Sequence, residues 1–573
     1  MAKIRPHSCI WPALTFLFCA FIVFFPVTDT DIWWHLAAGR EMYARMRLLY
    51  TDPFSYSIPD APWINLHWGF QLFAYGLHCI GGIAAILAAK CLLFAFSCVL
   101  LVCSLPRRWG RAVPSVLACL AAYEVRFLVL ERPAMLTLVC MALFIFCLEH
   151  FRRTRNILFL FPLPFTQLLW VNSQGLYPLG LFILAAYGVG WLVSAFVSAG
   201  VSVTATRRAV QDRDFRRLLL FAAMTGAACF INPYGLRGLL FPVALLGRID
   251  PSSANIYALN VSENLPLRLL FHSEPRMAWA TVLVVGLYCG CALLARRSFR
   301  FDHAVLFAGF TGLAWMAQRN VLLFMCVAIP VAASAVENVL LLPVWNRLGG
   351  RRSLVLKSVS LAIAAVLLII RLADHAAIVG RFPSGTLLSP FRHPEGAAGY
   401  LRSHWIGGNI FNDVRDGGYL AWMMYPPRRV FIDGRLIIRP AVFFREYLRV
   451  LDEPEYFDAV AARYGVTHVL APTALFYRHL PLVRKLYRDK RWRLVYTDGV
   501  FAILIRQECA PTEAVRIDDP AAVAGIVDSL EARWRNDPAI LREACIHLSR
   551  FCAEMGEVAS ARLVLQRMRG RLR

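Results

Sequence analysis

The chain has 573 residues, 58% hydrophobic and 17% charged, with 61 Lys and Arg against 37 Asp and Glu and a net charge of +24. A mean hydropathy of +0.54, carried in long apolar blocks, excludes an ordinary soluble domain and indicates a polytopic α-helical membrane protein. The basic excess does not point to nucleic acid, because Arg clusters fall in short loops between apolar runs, as the positive-inside rule requires.

Most of the sixteen cysteines lie inside apolar runs (Cys91, Cys98, Cys103, Cys119, Cys140, Cys147), where the thiol behaves as a small hydrophobe. None has CxxC or Cys/His metal spacing, so a disulfide framework is not expected.

Lys3 and Arg5 precede an apolar run from Cys9 to Val27 that lacks a small-x-small cleavage site. It reads as an uncleaved first span with its N-terminus inside. Thr28-Asp-Thr-Asp-Ile-Trp-Trp-His35 follows where that helix leaves the membrane. Carboxylates at such a depth are expensive to desolvate and are usually functional or paired. The plainer alternative is a solvated loop with Trp33 and Trp34 at the headgroups. The first external loop, 29–69, also carries an amphipathic piece around Leu36–Met46, and residues 70–79 continue after it as an interfacial helix broken at Gly81-Gly82.

Ten further spans are expected over 83–105, 112–128, 134–151, 157–172, 176–197, 218–232, 276–295, 303–317, 321–344 and 354–372, about eleven in all. The basic pairs Arg107-Arg108, Arg152-Arg153, Arg207-Arg208, Arg216-Arg217, Arg296-Arg297 and Arg351-Arg352 then share the internal side. Few charges fall inside the spans, and no half-to-half symmetry is visible, which argues against a transporter. The organisation expected is a transmembrane domain over 1–372, with external segments 29–69 and 233–275. An external α/β domain over 373–508 and a helical tail over 509–573 follow. Strands are expected at Asn409–Asp413, Arg429–Asp433, Thr467–Ala471 and Val500–Ile505, with a helix over Asp452–Tyr464. The tail reads as a helix–Gly–helix pair, Ala539–Glu554 and Val558–Met568, like one tetratricopeptide hairpin or any packed hairpin.

The polar residues of the external side are not scattered. Asp29, Asp31, His35, Arg40, Asp52, Asn65 and His67 lie in the first loop. Arg126, Glu131, Arg132, Asn172, Gln174, Asn232, Arg319 and Asn320 lie at later external turns. An outward cavity lined by guanidiniums and carboxylates suits a phosphate-bearing lipid headgroup: the fork binds phosphate, and a carboxylate orients or deprotonates an incoming hydroxyl. For each Arg the alternative is snorkelling to headgroups. Asp413, Asp416, Asp433 and Arg435 fall at strand ends or turns of the external domain, where Gly417-Gly418 and Gly434 permit close backbone approach. Turn chemistry alone also explains Asp-Gly pairs. No Gly-rich phosphate loop, HExxH or Ser-His-Asp order is present, and the internal loops are too short to hold a nucleotide sugar.

Asp29-Thr-Asp-Ile-Trp-Trp-His-Leu-Ala-Ala-Gly-Arg40, Thr51-Asp-Pro-Phe-Ser-Tyr56, Trp63-Ile-Asn-Leu-His-Trp68, Asn409-Ile-Phe-Asn-Asp-Val-Arg-Asp-Gly-Gly-Tyr419 and Val430-Phe-Ile-Asp-Gly-Arg435 resemble a group of bacterial membrane proteins within or near the GT-C class of integral membrane glycosyltransferases. That class includes protein O-mannosyltransferases, the aminoarabinose transferase of lipid A and oligosaccharyltransferases. The resemblance covers most of residues 1–508. It implies a sugar donor on polyprenyl phosphate, an external envelope acceptor (glycan, lipid or protein) and a catalytic Asp in the first external loop. By position that base is Asp31 or Asp29. Two residues apart, they would point to opposite faces of an extended segment, and Asp31 is favoured by the Trp33, Trp34 and His35 that follow it.

Arg319 and Arg132 would hold the lipid phosphate. His35, Arg40, Asp52, His67, Asn172, Gln174, Asp413, Asp433 and Arg435 would contact substrate. His35 and His67 could instead be ligands of a divalent metal, as in members that use one, although the residues nearby do not make a ligand set. The resemblance also implies a bacterial cytoplasmic membrane with the C-terminal domain periplasmic or extracellular. The rival is a non-catalytic, flippase-like lipid handler or an envelope assembly factor.

Overall fold

The computed structural model describes residues 9–571 apart from 107–110, 200–209, 250–254, 295–299, 342, 345–346, 348–349, 384, 405–406, 476 and 511–513. Lys3, Arg5, Arg107, Arg108, Arg207, Arg208, Arg296 and Arg297, used above for orientation, lie outside the described residues. The chain divides into two compact units. One comprises Met1–Phe24, Leu66–Phe70 and Ile80–Ala377; the other comprises Phe25–Asn65, Gln71–Cys79 and Ile378–Arg573.

The first unit is helical. Among the described residues, six helical stretches are long and apolar enough to cross a membrane: Trp68–Ser104, Ala134–Thr154, Pro178–Val197, Pro275–Leu294, Asn320–Val339 and Leu354–Val379. Ile10–Ile22, Ile157–Val171 and Gly235–Leu245 are shorter apolar helices. Leu354, Val355, Ile363, Ile369 and Ile370 stay exposed on the last long helix. A helix apolar all round belongs in lipid, where such exposure costs nothing. The interior packs around Phe144, Trp170, Phe310 and Phe324, all fully buried. The expected break at Gly81-Gly82 is present inside Trp68–Ser104: Gly82 has φ +60° and ψ −147°, a conformation that a side chain would oppose. Lys90, one of the few charges inside the expected spans, is fully buried and pairs with Glu131 at 2.6 Å. Glu131 neutralises the ammonium at depth, which is how the span tolerates it.

The second unit holds a four-stranded sheet in the order β1-β2-β4-β3. The strands are β1 (Asn409–Asn412), β2 (Val466–Pro472), β3 (Trp492–Thr497) and β4 (Phe501–Arg506). β1 and β2 run parallel, and the other pairs are antiparallel. The strand expected over Arg429–Asp433 is not one: Val430 makes only isolated bridges, to Ile410 and to Ser55. The Asn412 side chain accepts from Phe431 N at 2.9 Å and donates to the Ile432 carbonyl at 2.7 Å, taking bonds that a ladder would use. β3 was not anticipated. It is set by the Asp498-Gly499 turn, where Asp498 Oδ1 accepts from Val500 N and Phe501 N and Gly499 takes φ +82°. Of the helix expected over Asp452–Tyr464, only Phe457–Tyr464 is α-helical: a preceding helix, Ala441–Asp452, ends at Asp452, and Pro454 opens a 3-10 turn between the two. The tail forms three helices, Pro520–Arg533, Pro538–Met555 and Val558–Arg571, with Gly556 at φ +98° ending the second.

Candidate functional site

Asp29 and Asp31 lie in the second unit, at the start of the helix Ile32–Arg45. The expected extended geometry does not occur. Asp31 is already helical, and its backbone N donates to Asp29 Oδ1 at 3.1 Å. The Asp29 carboxylate therefore bonds the backbone that opens the helix, and Asp31 occupies its N-cap position, where the dipole stabilises negative charge. Asp29 is buried and Asp31 half-buried. A Cβ built on Gly434 would lie 2.1 Å from Asp31 Oδ1, so the turn after Asp433 closes against this carboxylate. Gly417 is required in the same way: its Cβ would meet the Ile432 carbonyl oxygen at 1.9 Å.

Trp33 and Trp34 are not an interfacial belt. Both are buried within the second unit. Trp33 Nε1 donates to His393 Nδ1 at 3.1 Å, and the other ring nitrogen of His393 donates to the Val27 carbonyl at 3.0 Å. Trp33 also meets Tyr419 edge-on, with centroids 4.8 Å apart. His35 is buried against the Trp34 ring. Arg40 donates to the Tyr425 carbonyl at 3.1 Å and lies 4.4 Å over the Trp422 ring.

Asp52, Asp433 and Arg435 meet in a closed cluster with Arg439, which sequence reasoning missed. All four side chains are fully buried. Arg435 reaches Asp52 Oδ1 at 2.7 Å and pairs with Asp433 in a fork, while Arg439 reaches Asp52 Oδ2 at 3.2 Å and Asp433 Oδ2 at 3.6 Å. Asp52 also accepts from Phe54 N and the Ser55 hydroxyl. The Arg435 guanidinium lies 4.9 Å from the Phe54 ring and 4.8 Å from the Trp63 ring. Burial alone would raise the Asp433 carboxyl, but the Arg435 and Arg439 charges outweigh it and hold Asp433 below the usual range. Two charges of each sign cancel, so the cluster ties residues 52–63 to 433–439 as a neutral knot.

Asp413 belongs to a second buried group. Arg415 Nε donates to its Oδ1 at 2.8 Å and Tyr447 Oη to its Oδ2 at 2.8 Å, with His479 Nε2 at 3.3 Å. Burial opposes ionisation of Asp413. The charge of His479, then Arg415 with its hydrogen bonds, overcomes that and brings the carboxyl down to about 2. Burial holds His479 itself at about 4, so at neutral pH Arg415 is the lasting counter-charge. Asp416 Oδ2 is buried without a hydrogen-bond partner among the described residues, and burial followed by the Asp413 charge pushes its carboxyl well up.

A pH dependence follows. Burial holds His393, His468 and His479 of this unit at about 4, against 6.5 ordinarily. The unfolded chain binds more protons between those values, so stability is complete above pH 6.5 and falls as pH drops towards 4, by up to about 3 kcal/mol per imidazole. Asp416 has the opposite sign: its contribution is complete below about pH 4 and is lost as pH rises. The three imidazoles outweigh one carboxyl over pH 6.5 to 4. Thermal melting of the detergent-solubilised protein should drop between pH 7.5 and pH 5, and His468→Gln should flatten the slope. A melting temperature constant across that range would contradict the assignment.

The remaining predicted residues belong to the first unit. Asn172 is fully engaged: Oδ1 accepts from Trp68 Nε1 at 3.1 Å, and Nδ2 donates to the Leu168 and Ile231 carbonyls at 2.9 and 2.8 Å. His67 Nε2 donates to Gln174 Oε1 at 2.9 Å, and burial lowers this imidazole to about 4. These contacts bind the start of the helix Trp68–Ser104 to the 172–175 turn. Arg132 Nη1 donates to Glu263 Oε2 at 2.7 Å, and Arg319 N donates to the Glu263 carbonyl at 3.2 Å. Glu263, not singled out in the sequence, thus gathers both arginines expected to hold phosphate. The Arg319 side chain keeps solvent exposure. Crowding by neighbouring atoms nevertheless lowers its pKa, Glu263 opposing and Arg132 reinforcing that effect.

His35 and His67 fall in different units. Donor atoms of Glu149, Asp302 and His303 lie within 4.8 Å of one another, as a metal would need. Arg300 already bonds both carboxylates and Arg152 bonds Asp302, which supplies the cation that a metal would otherwise provide.

No protein-family model and no curated protein matches the sequence. The fold does have solved counterparts. The archaeal oligosaccharyltransferase AglB from Archaeoglobus fulgidus, solved with an inhibitory peptide and a dolichol-phosphate, superposes with a TM-score of 0.54 at 13% identity, over 90% of this chain and 76% of that one. The apo form of the Archaeoglobus fulgidus oligosaccharyltransferase gives 0.50 at 12% identity, over 90% and 77%. A looser likeness, 0.46 at 10% identity over 88% and 98%, is to ArnT from Cupriavidus metallidurans in the apo state. The structural neighbours of this chain are GT-C glycosyltransferases, the class its motifs resemble.

Proposed function

We propose that the protein is a membrane glycosyltransferase that moves a sugar from a polyprenyl-phosphate carrier to an external envelope acceptor. The observation that carries this is the shared fold with an oligosaccharyltransferase solved with a dolichol-phosphate, together with two carboxylates at a helix N-terminus in the first loop. In this reading about eleven spans cross a bacterial cytoplasmic membrane, with the N-terminus inside and the C-terminal domain outside. Asp31, or Asp29 beside it, orients the acceptor hydroxyl and takes its proton as the oxygen attacks the anomeric carbon. The bond to the carrier phosphate breaks, and Arg132 and Arg319 stabilise the departing phosphate. Direct displacement inverts the anomeric centre.

The test is turnover of a polyprenyl-phosphate-linked sugar by purified protein, with the released carrier phosphate followed by mass spectrometry. Release of carrier phosphate with formation of an inverted product supports the reading. Retention of intact donor across a panel of sugars and envelope acceptors, by folded protein, would favour the rival, a non-catalytic lipid handler or assembly factor. The observation on that rival's side is the sealed Asp52–Asp433–Arg435–Arg439 cluster, whose charges are consumed internally.

A further inference from the structure

Within the first unit, the helix Ala134–Thr154 carries guanidiniums at both ends. Arg132 precedes it, and Arg152 and Arg155 close it. At 1.5 Å per residue the helix is about 31 Å long, the thickness of a bilayer's hydrocarbon core. The helix Phe301–Met316 runs the other way between the same two levels: Asp302 in its first turn bonds Arg152, and Arg319 follows its last turn. Arg132, Glu263 and Arg319 therefore mark one headgroup level, and Arg152, Arg155 and Asp302 the other.

At that other level lies a cavity of about 260 Å³ whose wall includes Arg152, Arg155, Trp191, Ser194, Asp212 and Asp302. Its volume falls just below the range of about 300–1,000 Å³ typical of small-molecule pockets, which suits a headgroup rather than a nucleotide sugar. Arg155, at a left-handed φ of 57°, holds its guanidinium 4.2 Å over the Trp191 ring and makes no ion pair among the described residues. Arg152 gives Nη1 to Asp302 at 2.9 Å, the only hydrogen bond of its fork among the described residues. Asp212 Oδ1 caps the helix Arg213–Ala228 by accepting from Asp214 N and Phe215 N. Its Oδ2 has no hydrogen-bond partner among the described residues. The wall thus offers two guanidiniums with spare donors, one spare carboxylate oxygen and an aromatic face.

We infer that this cavity binds a zwitterionic phosphate headgroup, a phosphodiester carrying a primary ammonium, from the lipid leaflet at the Arg152 end. The phosphate sits between Arg152 and Arg155, the ammonium on Asp212, and the glycerol carbons against Trp191. This site is separate from the proposed donor site and does not depend on it.

The experiment uses full-length protein in mixed micelles, with native mass spectrometry counting bound lipid. The probes are dioleoylphosphatidylethanolamine, dioleoylphosphatidylglycerol and soluble phosphoethanolamine. Retention of the ethanolamine lipid over the glycerol lipid by about fivefold is expected, the size of one partly exposed ion pair. The double variant Arg155→Gln with Ser194→Phe should abolish that preference. Equal retention of the two lipids, or a preference that survives in the double variant, overturns the site. A melting temperature measured alongside shows that the variant folds; if it does not, Arg155→Gln alone serves, with the preference expected to fall and an unchanged preference again overturning the site. Displacement of the lipid by equimolar soluble phosphoethanolamine supports the same chemistry but assigns the site to a soluble phosphomonoester, overturning the leaflet as its source.

Discussion

Asp31→Asn is expected to cut sugar transfer by about 10²–10⁴-fold, the contribution of a positioned general base, while insertion and melting stay as in the parent protein. The substitution keeps the shape and the helix start and removes only the charge and basicity. Asp29→Asn separates the two carboxylates: its amide oxygen can still accept the Asp31 N–H now held by Asp29 Oδ1, so a loss of similar size would move the base role to Asp29. Gly434→Ala is the geometric companion. Its methyl would arrive 2.1 Å from Asp31 Oδ1, and a base displaced by about 1 Å can cost 10²-fold. Transfer is read by mass spectrometry of the product from a lipid-linked donor. Full activity in both Asn variants and in the double variant would remove these carboxylates from the mechanism.

Arg435→Met should destabilise the second unit by about 3–5 kcal/mol, the cost of stranding buried charge by removing one partner. Asp52 and Asp433 would then share Arg439 alone, with no solvent to screen them. Arg435→Lys should fail too, because a single ammonium cannot reproduce a fork that spans two carboxylates and lies between the Phe54 and Trp63 rings. Asp433→Asn combined with Arg435→Met should recover part of the loss by discharging one carboxylate. Thermal melting and protease sensitivity of residues 378–571 measure this. A variant that melts normally but loses transfer would return Asp52, Asp433 and Arg435 to the substrate contacts their motif suggested.

The fold was legible where a single physical signal dominated. Long apolar runs gave the helices, Gly81-Gly82 gave the break, and the β-rich runs at 467–471 and 500–505 gave β2 and β4. It was illegible where side chains replaced the signal. Asn412 captures the bonds of the 429–433 segment, so a β-rich run does not become a strand. Trp33 and Trp34 next to an apolar run look like a belt, yet His393 and Tyr419, some 360 residues on, bury Trp33. Among candidate residues, the polar clustering was real but its partners were not readable. Arg132 and Arg319 do share Glu263, whereas Asn172, His67 and Gln174 spend their hydrogen bonds on the scaffold. Spacing alone cannot distinguish a polar group presented to substrate from one consumed by its neighbours.

The segmented make-up of the second unit has a consequence in time. Residues 25–65 and 71–79 are synthesised before, and Ile378–Arg573 after, the roughly 300 residues in between. At about 5–20 residues per second, the early segments wait some 15–60 s for the chain that completes them. During that interval Trp33, Trp34, Phe54 and Trp63 lack the burial they have in the finished unit. Asp52 has neither Arg435 nor Arg439. A ribosome halted anywhere before residue 378 therefore leaves an aromatic-rich segment that should be the first part of the nascent protein captured by a chaperone or cut by a protease.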